Sequence, residues 1–284
     1  MEVRPADLAG SWYPANASDC RRTIEAFSRE SRPCPSSGGG GIGGIVPHAG
    51  WVFSGKIACN VIQCLRRDPA PDTCVVFGRH LLPGSSNYLM KEGMWSTPLG
   101  DLEIDRELAE ALDAEFDFKV ETATRYDQDN TIELQLPFVK YFFPGTRLLP
   151  IGVPPRQESL LIGERVAALC KKLDRAAVIL GSTDLTHYGD NYGYMPKGGG
   201  KEAVDWVKNE NDRRIVELMV KMDPEGVIRD AMNRQNACCS GAVAAAIVAA
   251  KGLGAAKGEK IVYASSFDVR PDSSFVGYAG VIFC

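Results

Sequence analysis

The histidines of this chain directly follow predicted strands, at positions where α/β proteins commonly bind ligands or metals. The sequence contains three of them, His48, His80 and His187, and each follows a run rich in valine, isoleucine or leucine. Such continuous apolar runs are typical of strands buried on both faces of a sheet. Ligands of open α/β sheets bind at the carboxyl ends of the strands. Histidine is a common metal ligand and titrates nearest neutral pH. We therefore interpret the three histidines as one site at equivalent strand ends.

Two further side-chain types strengthen this interpretation. Asp184 lies three residues before His187, where its carboxylate could orient the imidazole or bind a metal itself. Cys238 and Cys239 directly precede an Ala-rich helical stretch that runs to Ala250. The dipole and the free N–H groups at a helix N-terminus favour the thiolate of a cysteine placed there. Thiolate is the form of cysteine that binds metals.

Strands alternate with amphipathic helices along most of the chain. The helical pattern of residues 54–67 lies between the first two histidine-bearing runs, which predicts a βαβ unit with both histidines at one edge of a sheet. The whole pattern predicts a single α/β domain over residues 1–284, with a central, mostly parallel or mixed sheet flanked by helices. Residues 31–44, rich in Pro, Ser and Gly, are predicted to form a flexible connection.

Two other pairs of side chains are open to a structural and a functional interpretation. Trp12 and Tyr13 occupy a turn and either pack in the core or form the wall of a pocket. Asn130 and Glu133 belong to a polar stretch that runs into an apolar helix. They either start that helix on a solvated face or reach into the pocket. The residues alone leave both alternatives open.

Composition excludes several classes of protein. Lys and Arg number 32 against 36 Asp and Glu, with a formal net charge of −4 and no basic run, so no nucleic-acid footprint is expected. No apolar stretch reaches the roughly 18–20 residues of a membrane span. Residues 1–5 lack the basic and apolar regions of a signal peptide. We therefore expect a cytoplasmic protein that does not enter membranes.

The cysteines predict no disulfide framework. There are nine, an odd number, without regular spacing. Cys20, Cys59, Cys64 and Cys170 fall in helical patterns and are interpreted as small buried apolar residues, while Cys34 lies in a loop. No Cys-x-x-Cys pair is present, which argues against a structural zinc knuckle.

Five short motifs follow one another along the chain. They are Ala-Gly-Ser-Trp-Tyr-Pro at 9–14, Pro-His-Ala-Gly at 47–50, Thr-Ile-Glu-Leu-Gln-Leu-Pro-Phe at 131–138, Ser-Thr-Asp-Leu-Thr-His-Tyr-Gly at 182–189 and Cys-Ser-Gly at 239–241. In content and order they resemble the Memo family, whose microbial members are called AmmeMemoRadiSam system protein B. The resemblance runs from about residue 8 to the C-terminus. It implies a fold similar to the class III extradiol dioxygenases, which are non-haem iron enzymes that open catechol rings.

The resemblance also implies roles for individual residues. Carried over by position, it makes His48, His80 and Cys239 the metal ligands. Cys239 falls where the dioxygenases place a glutamate. His187 matches their acid/base histidine, with Asp184 beside it.

The chain departs from the family pattern at two positions. Around His80 the family usually has a Pro-Ser-His-His run, whereas Gly-Arg-His-Leu at 78–81 of this chain keeps one histidine and brings in Arg79. In another motif Asn130 stands where the family commonly has a histidine. The departures remove two imidazoles and add a fixed charge, so Arg79 is a candidate for binding an anionic group of a substrate. Trp12 and Tyr13 are implied to line the mouth of the pocket.

These features favour a metal-dependent redox enzyme with small-molecule or peptide substrates. Two imidazoles and a thiolate hold Fe(II), Cu or Zn, and we expect Fe(II) first, copper second and zinc third. With iron, three protein ligands leave open positions for oxygen and a bidentate substrate, while His187 transfers a proton.

Other functions remain open. One alternative is a metal-binding protein without turnover, and another is a peptide- or protein-binding cleft on a vestigial enzyme. A further alternative is a hydrolytic cysteine, Cys239 with His187 and Asp184. The family name implies radical-SAM and AMMECR-type proteins as partners.

Overall fold

The computed structural model describes residues 1–34 and 40–284. The strands are β1 (Val3–Arg4), β2 (Gly43–Val46), β3 (Thr73–Gly78), β4 (Asn87–Met90), β5 (Met94–Trp95), β6 (Leu102–Glu103), β7 (Phe118–Glu121), β8 (Arg147–Gly152), β9 (Ala177–Ser182), β10 (His187–Tyr188), β11 (Gly258–Ser265) and β12 (Phe275–Phe283). The α-helices are α1 (Ala17–Arg29), α2 (Trp51–Cys64), α3 (Arg106–Asp113), α4 (Asn130–Glu133), α5 (Leu136–Phe142), α6 (Gln157–Lys172), α7 (Lys201–Trp206), α8 (Asp212–Val220), α9 (Pro224–Arg234), α10 (Ser240–Gly252) and α11 (Ser266–Val269). A 3₁₀ turn at Asp190–Tyr192 and a π-helical turn at Val207–Asn211 complete the regular structure of the described residues.

Most strands join one large mixed sheet. Its order is β10-β12-β2-β9-β3-β8-β4-β7. Strand β11 pairs with the edge of β12 that faces away from β2. Strands β2, β9, β3 and β8 are parallel, whereas β12 is antiparallel to β2 and β4 is antiparallel to β8. Strands β1, β5 and β6 form a separate small sheet. The predicted α/β class with a mixed sheet is confirmed, and β9 lies between the two strands of the predicted βαβ unit.

Helices cover both faces of this sheet. Successive residues of a strand point to opposite faces, and a Cβ at Gly44 would meet Val61 of α2 at 2.7 Å. The next residue, Ile45, pairs with Gly181 of β9. A Cβ at Gly181 would meet the Cβ of Ala246, in α10, at 2.8 Å. Because paired residues of neighbouring strands share a face, α2 and α10 lie on opposite faces.

Double coverage explains why the central strands show no alternation of apolar and polar residues. Val75 and Val76 of β3 and Ile179 and Leu180 of β9 have no exposed surface. Consecutive residues of one strand face opposite sides, so both sides must be apolar. Within residues 1–34 and 40–284, no helix combines the length and the apolar character that crossing a bilayer requires.

The predicted flexible connection at residues 31–44 ends earlier than expected. Strand β2 already begins at Gly43, which pairs with Ile179 of β9. Glycine is needed there for a packing reason, because a Cβ at Gly43 would lie 2.5 Å from the carbonyl oxygen of Ile179. Residues 35–39 of the predicted connection lie outside the described residues.

Two cysteines form a disulfide that their spacing did not predict. Cys34 and Cys64 are joined, with their Cα atoms 5.3 Å apart and a sequence separation of 30. The interpretation of Cys64 as a free apolar residue is therefore wrong. The segment after α1 lies against α2, where the Arg32 amide donates to Asn60 Oδ1 at 3.0 Å. This tertiary contact brings the two sulfurs together.

The close approach at Gly43 gives a stability prediction. Gly43→Ala forces β2 away from β9, so we expect a loss of about 1–3 kcal/mol in the free energy of unfolding. Urea denaturation followed by circular dichroism measures it. Gly145→Ala is the matched control, because a Cβ there meets nothing within 4 Å. Equal midpoints for the two variants would contradict the packing argument.

Candidate metal centre

Four possible metal ligands converge at the carboxyl edge of the parallel strands. His48, His80, Cys238 and Cys239 each offer one nitrogen or sulfur atom, and these atoms all lie within 4.8 Å of one another. His48 Nε2 is 3.3 Å from Cys238 Sγ, and the two sulfur atoms are 3.6 Å apart. Cys239 Sγ is 3.6 Å from His80 Nδ1. We call these four side chains the donor cluster.

The ends of neighbouring strands position the two histidines. His48 lies two residues after β2 ends at Val46, and His80 lies two residues after β3 ends at Gly78. Strand β9 lies between them, and the equivalent position beyond its end is Asp184. Because the three strands are parallel neighbours, their ends deliver these side chains to one edge of the sheet.

His187 reaches this edge by a different route, which corrects the expectation of three equivalent strand ends. It lies in β10, where it pairs with Val276 of β12. Ile45 of β2 pairs with Val281 of the same strand. Strand β10 therefore lies just beyond the end of β2, and His187 lines the same cavity as His48.

The loop after β9 holds the two cysteines in place. The amide of Cys238 donates to the carbonyl oxygen of Asp184 at 3.1 Å. The amide of Cys239 donates to Thr183 Oγ1, also at 3.1 Å. Cys239 is the N-cap of α10 and is buried, whereas Cys238 is partly exposed. The start of α10 is thus tied to the strand that lies between the two histidines.

Ser182 determines which nitrogen of His48 is available. Ser182 Oγ donates its only proton to the carbonyl oxygen of Thr131 at 2.7 Å, so it must accept from His48 Nδ1, 2.9 Å away. A neutral imidazole protonated at Nδ1 keeps its lone pair on Nε2, the atom that approaches the Cys238 sulfur. Metal-binding histidines commonly have their second nitrogen held in this way.

The charges of the cluster favour one thiolate. Burial opposes ionisation of Cys238, but hydrogen bonds with Cys239 and His48 outweigh it and hold the pKa of Cys238 well below its usual range. Burial and the neighbouring Cys238 sulfur raise the pKa of Cys239 well above its usual range. Burial lowers the pKa of His48, but Asp184 and Cys238 outweigh it and raise that pKa to about 9. These shifts favour a thiolate on Cys238 beside a protonated His48, and a metal ion that binds His48 would replace the proton on its Nε2.

Asp184 supports His48 rather than His187. Its Oδ1 accepts the backbone N–H of His48 at 2.7 Å, and burial raises the pKa of this carboxyl. His187 is oriented by its own backbone, because its Nδ1 donates to the carbonyl oxygen of Leu185 at 3.1 Å. That bond leaves His187 Nε2 with a lone pair. The expectation that Asp184 orients the imidazole of His187 is thereby corrected.

A cavity of about 530 Å³ lies beside the donor cluster. Its lining includes His48, His80, Asp184, His187, Trp12 and Asn130. Trp12 is 40% exposed, so its ring is the partly exposed aromatic surface of this lining. Asn130 Nδ2 donates to the carbonyl oxygen of His48 at 3.1 Å, so it also buttresses the histidine loop.

Tyr13 and Glu133 do not reach this cavity, which corrects their expected place in the pocket. Glu133 is fully buried, and its Oε1 accepts the Leu8 N–H at 2.7 Å and the Tyr13 hydroxyl at 2.9 Å. Burial raises the pKa of the Glu133 carboxyl. Tyr13 also packs on Trp51, with ring centroids 5.4 Å apart. The two residues fasten the N-terminal turn to α4.

Arg79 also points away from the cavity, which corrects its expected role with an anionic substrate. It is 7% exposed, forms an ion pair with Glu121 and donates to the carbonyl oxygen of Asp127 at 3.2 Å. Its guanidinium lies 4.2 Å from the ring centroid of Tyr88. Arg4 makes a second ion pair with Glu121, at 3.2 Å. The charge of Arg79 is thus neutralised inside the protein.

Comparison with known proteins identifies the family. A family model described as Memo-like protein matches residues 4–282. The chain belongs to the Memo family. A MEMO1 family protein of Methanopyrus kandleri is 36% identical over 296 residues, which cover 100% of this chain and 99% of that protein. A MEMO1 family protein of Methanothermobacter thermautotrophicus is 34% identical over 290 residues, with 98% and 99% coverage.

The Memo-family chain also shows a distant likeness to a solved structure. An uncharacterized protein of Escherichia coli K12 aligns with a TM-score of 0.48 and 11% sequence identity. The alignment covers 76% of this chain and 87% of that chain. A likeness at this level adds nothing to the assignment of fold or function.

Sequence reasoning about this Memo-family chain noted Cys238 beside Cys239 without assigning it a role, and it missed Ser182 and Arg270. Cys238 contributes a sulfur to the donor cluster, although the resemblance implies only Cys239. The adjacent pair of cysteines at a helix start was the available signal. Ser182, which holds His48, is a hydroxyl at the end of an apolar strand. Arg270 lines the cavity from the segment between α11 and β12, and no local pattern points to it.

The two buried ion pairs of Glu121, with Arg4 and with Arg79, give a second prediction. Glu121→Gln leaves two guanidinium groups buried beside a neutral partner, so we expect a loss of about 3–5 kcal/mol in the free energy of unfolding. Urea denaturation measures the loss. The control is Glu217→Gln, which removes an exposed ion pair with Arg213 and should leave the midpoint unchanged. A Glu121→Gln protein as stable as the parent would contradict the argument that the buried guanidinium groups depend on Glu121.

Proposed function

We propose that this Memo-family protein is a metal-dependent redox enzyme that acts on a small molecule in the cavity beside the donor cluster. One observation carries the proposal. His48 and His80 line a cavity that His187 also lines, and Cys239, the third ligand implied by the family resemblance, lies 3.6 Å from His80 Nδ1. A substrate in this cavity could therefore contact both the bound metal ion and Nε2 of His187.

The side chains fit a bound metal ion. His48 has its Nδ1 proton held by Ser182, so Nε2 is the nitrogen that faces the cluster and would bind an ion once its own proton is released. Two imidazoles and a thiolate suit Fe(II), Cu and Zn, and we propose Fe(II) first, as in the dioxygenases that the family resembles. A bound Fe(II) ion would supply oxygen chemistry and one-electron transfer.

His187 is the proposed acid/base. Its Nδ1 donates to the carbonyl oxygen of Leu185, so its Nε2 can take a proton from a substrate hydroxyl and return it. The ring of Tyr192 meets the imidazole edge-on, with centroids 4.9 Å apart, and limits its rotation. Asp184 keeps the backbone of His48 in place and takes no direct part in this proton transfer.

The cavity favours a small organic substrate. Its volume of about 530 Å³ falls within the range of ordinary ligand pockets. Arg270 is the arginine in its lining, so it replaces Arg79 as the candidate partner for an anionic substrate group. Trp12 supplies an apolar surface against which a ring can pack.

Metal binding without turnover is the second candidate function. The second thiol of the cluster favours it, because thiolates retain soft ions such as Cu(I) tightly. The exposed Trp12 also suits a peptide ligand. Radical-SAM and AMMECR-type partner proteins remain a proposal that rests on the family resemblance.

The arrangement argues against the hydrolytic cysteine. Cys239 lies beside His80, 3.6 Å from its Nδ1, whereas the Nδ1 of His187 bonds to its own backbone. A nucleophile needs its base within hydrogen-bond reach. The expected triad of Cys239, His187 and Asp184 is therefore not assembled.

Metal content tests the proposal. In protein purified without oxygen and then supplied with Fe(II), we expect about one ion per chain in the parent and a large loss in His48→Ala, because His48 Nε2 is a ligand. Elemental analysis after gel filtration measures the ratio. His187→Ala is the matched control, since His187 lies outside the donor cluster, and it should keep the metal.

Oxygen uptake distinguishes an enzyme from a protein that binds metal without turnover. With catechols as probes, uptake by the Fe(II)-loaded parent and its loss in His187→Ala would support the enzyme. Stoichiometric metal with no uptake on any probe favours the second candidate. A parent protein that binds no metal would refute both.

A further inference from the structure

One side chain of the donor cluster lies outside the ligand set used so far. Cys238 Sγ is 3.3 Å from His48 Nε2, which is closer than Cys239 Sγ is to His80 Nδ1. The three-ligand set takes no account of this sulfur. Its distance from His48 Nε2 suggests that Cys238 also takes part in metal binding.

Three distances within the cluster match edges of a tetrahedron around one ion. With metal–sulfur bonds of about 2.3 Å and metal–nitrogen bonds of about 2.0 Å, a tetrahedral site has sulfur–sulfur edges of about 3.8 Å and sulfur–nitrogen edges of about 3.5 Å. The two sulfurs of the cluster are 3.6 Å apart. The two sulfur–nitrogen contacts measure 3.3 and 3.6 Å. The other pairs of donor atoms lie within 4.8 Å of one another, so contact of one ion with all four side chains would require at most that these pairs move closer together.

The surroundings of Cys238 suit a bound thiolate. The backbone N–H of Asp184 donates to its sulfur at 3.3 Å. The amide of Cys238 itself donates to the carbonyl oxygen of the same aspartate, so the residue is held at both ends. Such outer contacts orient a ligand before the ion arrives. Cys238 is therefore placed by the fold and not free to swing away.

We propose that Cys238 is the fourth protein ligand, and that His48, His80, Cys238 and Cys239 together hold one metal ion, for which Zn(II) serves as the probe. This inference rests on the proposed metal site and deepens it. Four protein ligands of this kind are typical of closed sites, whereas catalytic sites keep a position open. The resting protein holds its ion without an open position, and a substrate that binds the ion must displace Cys238.

Counting sulfur ligands tests the inference. The parent protein is purified without oxygen in the presence of a phosphine reductant, so that both thiols stay reduced, and is loaded with Zn(II). X-ray absorption at the zinc edge should show two sulfur and two nitrogen ligands. In Cys238→Ser the sulfur count should fall to one, and competition with a chromophoric chelator should show zinc affinity weaker by about tenfold or more.

Two further variants serve as comparisons for Cys238→Ser, one within the cluster and one outside it. Cys239→Ser should also leave one sulfur. Cys284→Ser removes a free cysteine that is not part of the cluster and should keep two sulfurs and the parent affinity. Co(II) absorption gives an independent measure, because thiolate-to-metal charge transfer should fall to about half in each cluster variant.

The outcomes distinguish this inference from the proposed function. One sulfur ligand in the parent, with zinc affinity unchanged in Cys238→Ser, overturns the role of Cys238 and leaves the three-ligand site standing. A parent that binds no stoichiometric metal overturns the proposed function as well. The sulfur count of the parent decides the question even where a variant fails to fold.

Discussion

Parallel hydrogen bonding between β2, β9 and β3 is the constraint on which the rest of the site depends. It aligns three strand ends, so that His48, Asp184 and His80 stand at equivalent positions along one edge. The same edge receives the start of α10, because Thr183 and Asp184 accept the amides of the two cysteines. A shift of one residue in either pairing would turn every side chain of the shifted strand to the opposite face.

The side chains around the donor cluster are held by a satisfied polar network. Burying polar groups is costly unless they find hydrogen-bond partners. Ser182 bridges His48 and the Thr131 carbonyl, while Asp184 bridges the backbone of His48 to the loop that carries Cys238. Each of these bonds fixes the orientation of a possible ligand. Charge is separated within the cluster as a result, with the thiolate on Cys238 and the proton on His48.

Several conspicuous polar residues of the sequence serve the framework instead. Glu133 is bonded to Leu8 and Tyr13, and Arg79 is paired with Glu121 inside the protein. Their residue types alone suggest substrate binding, because a charged side chain within a motif is usually assigned to binding or catalysis. A buried charge needs a partner of opposite sign, and the partner of Arg79 lies 42 residues along the chain. Local patterns contain no information about such a partner.

The sequence by itself determined the α/β class, the Memo family and the strand ends that carry His48 and His80. These follow from local patterns, since apolar runs specify buried strands and short motifs persist within a family. Only the tertiary structure decided that β9 lies between the histidine strands, that His187 arrives on β10, and that Cys238 joins the cluster. The disulfide between Cys34 and Cys64 was likewise decided only by the tertiary structure. These contacts join segments far apart in the chain, and their formation depends on how sheets and helices pack rather than on the order of neighbouring residues.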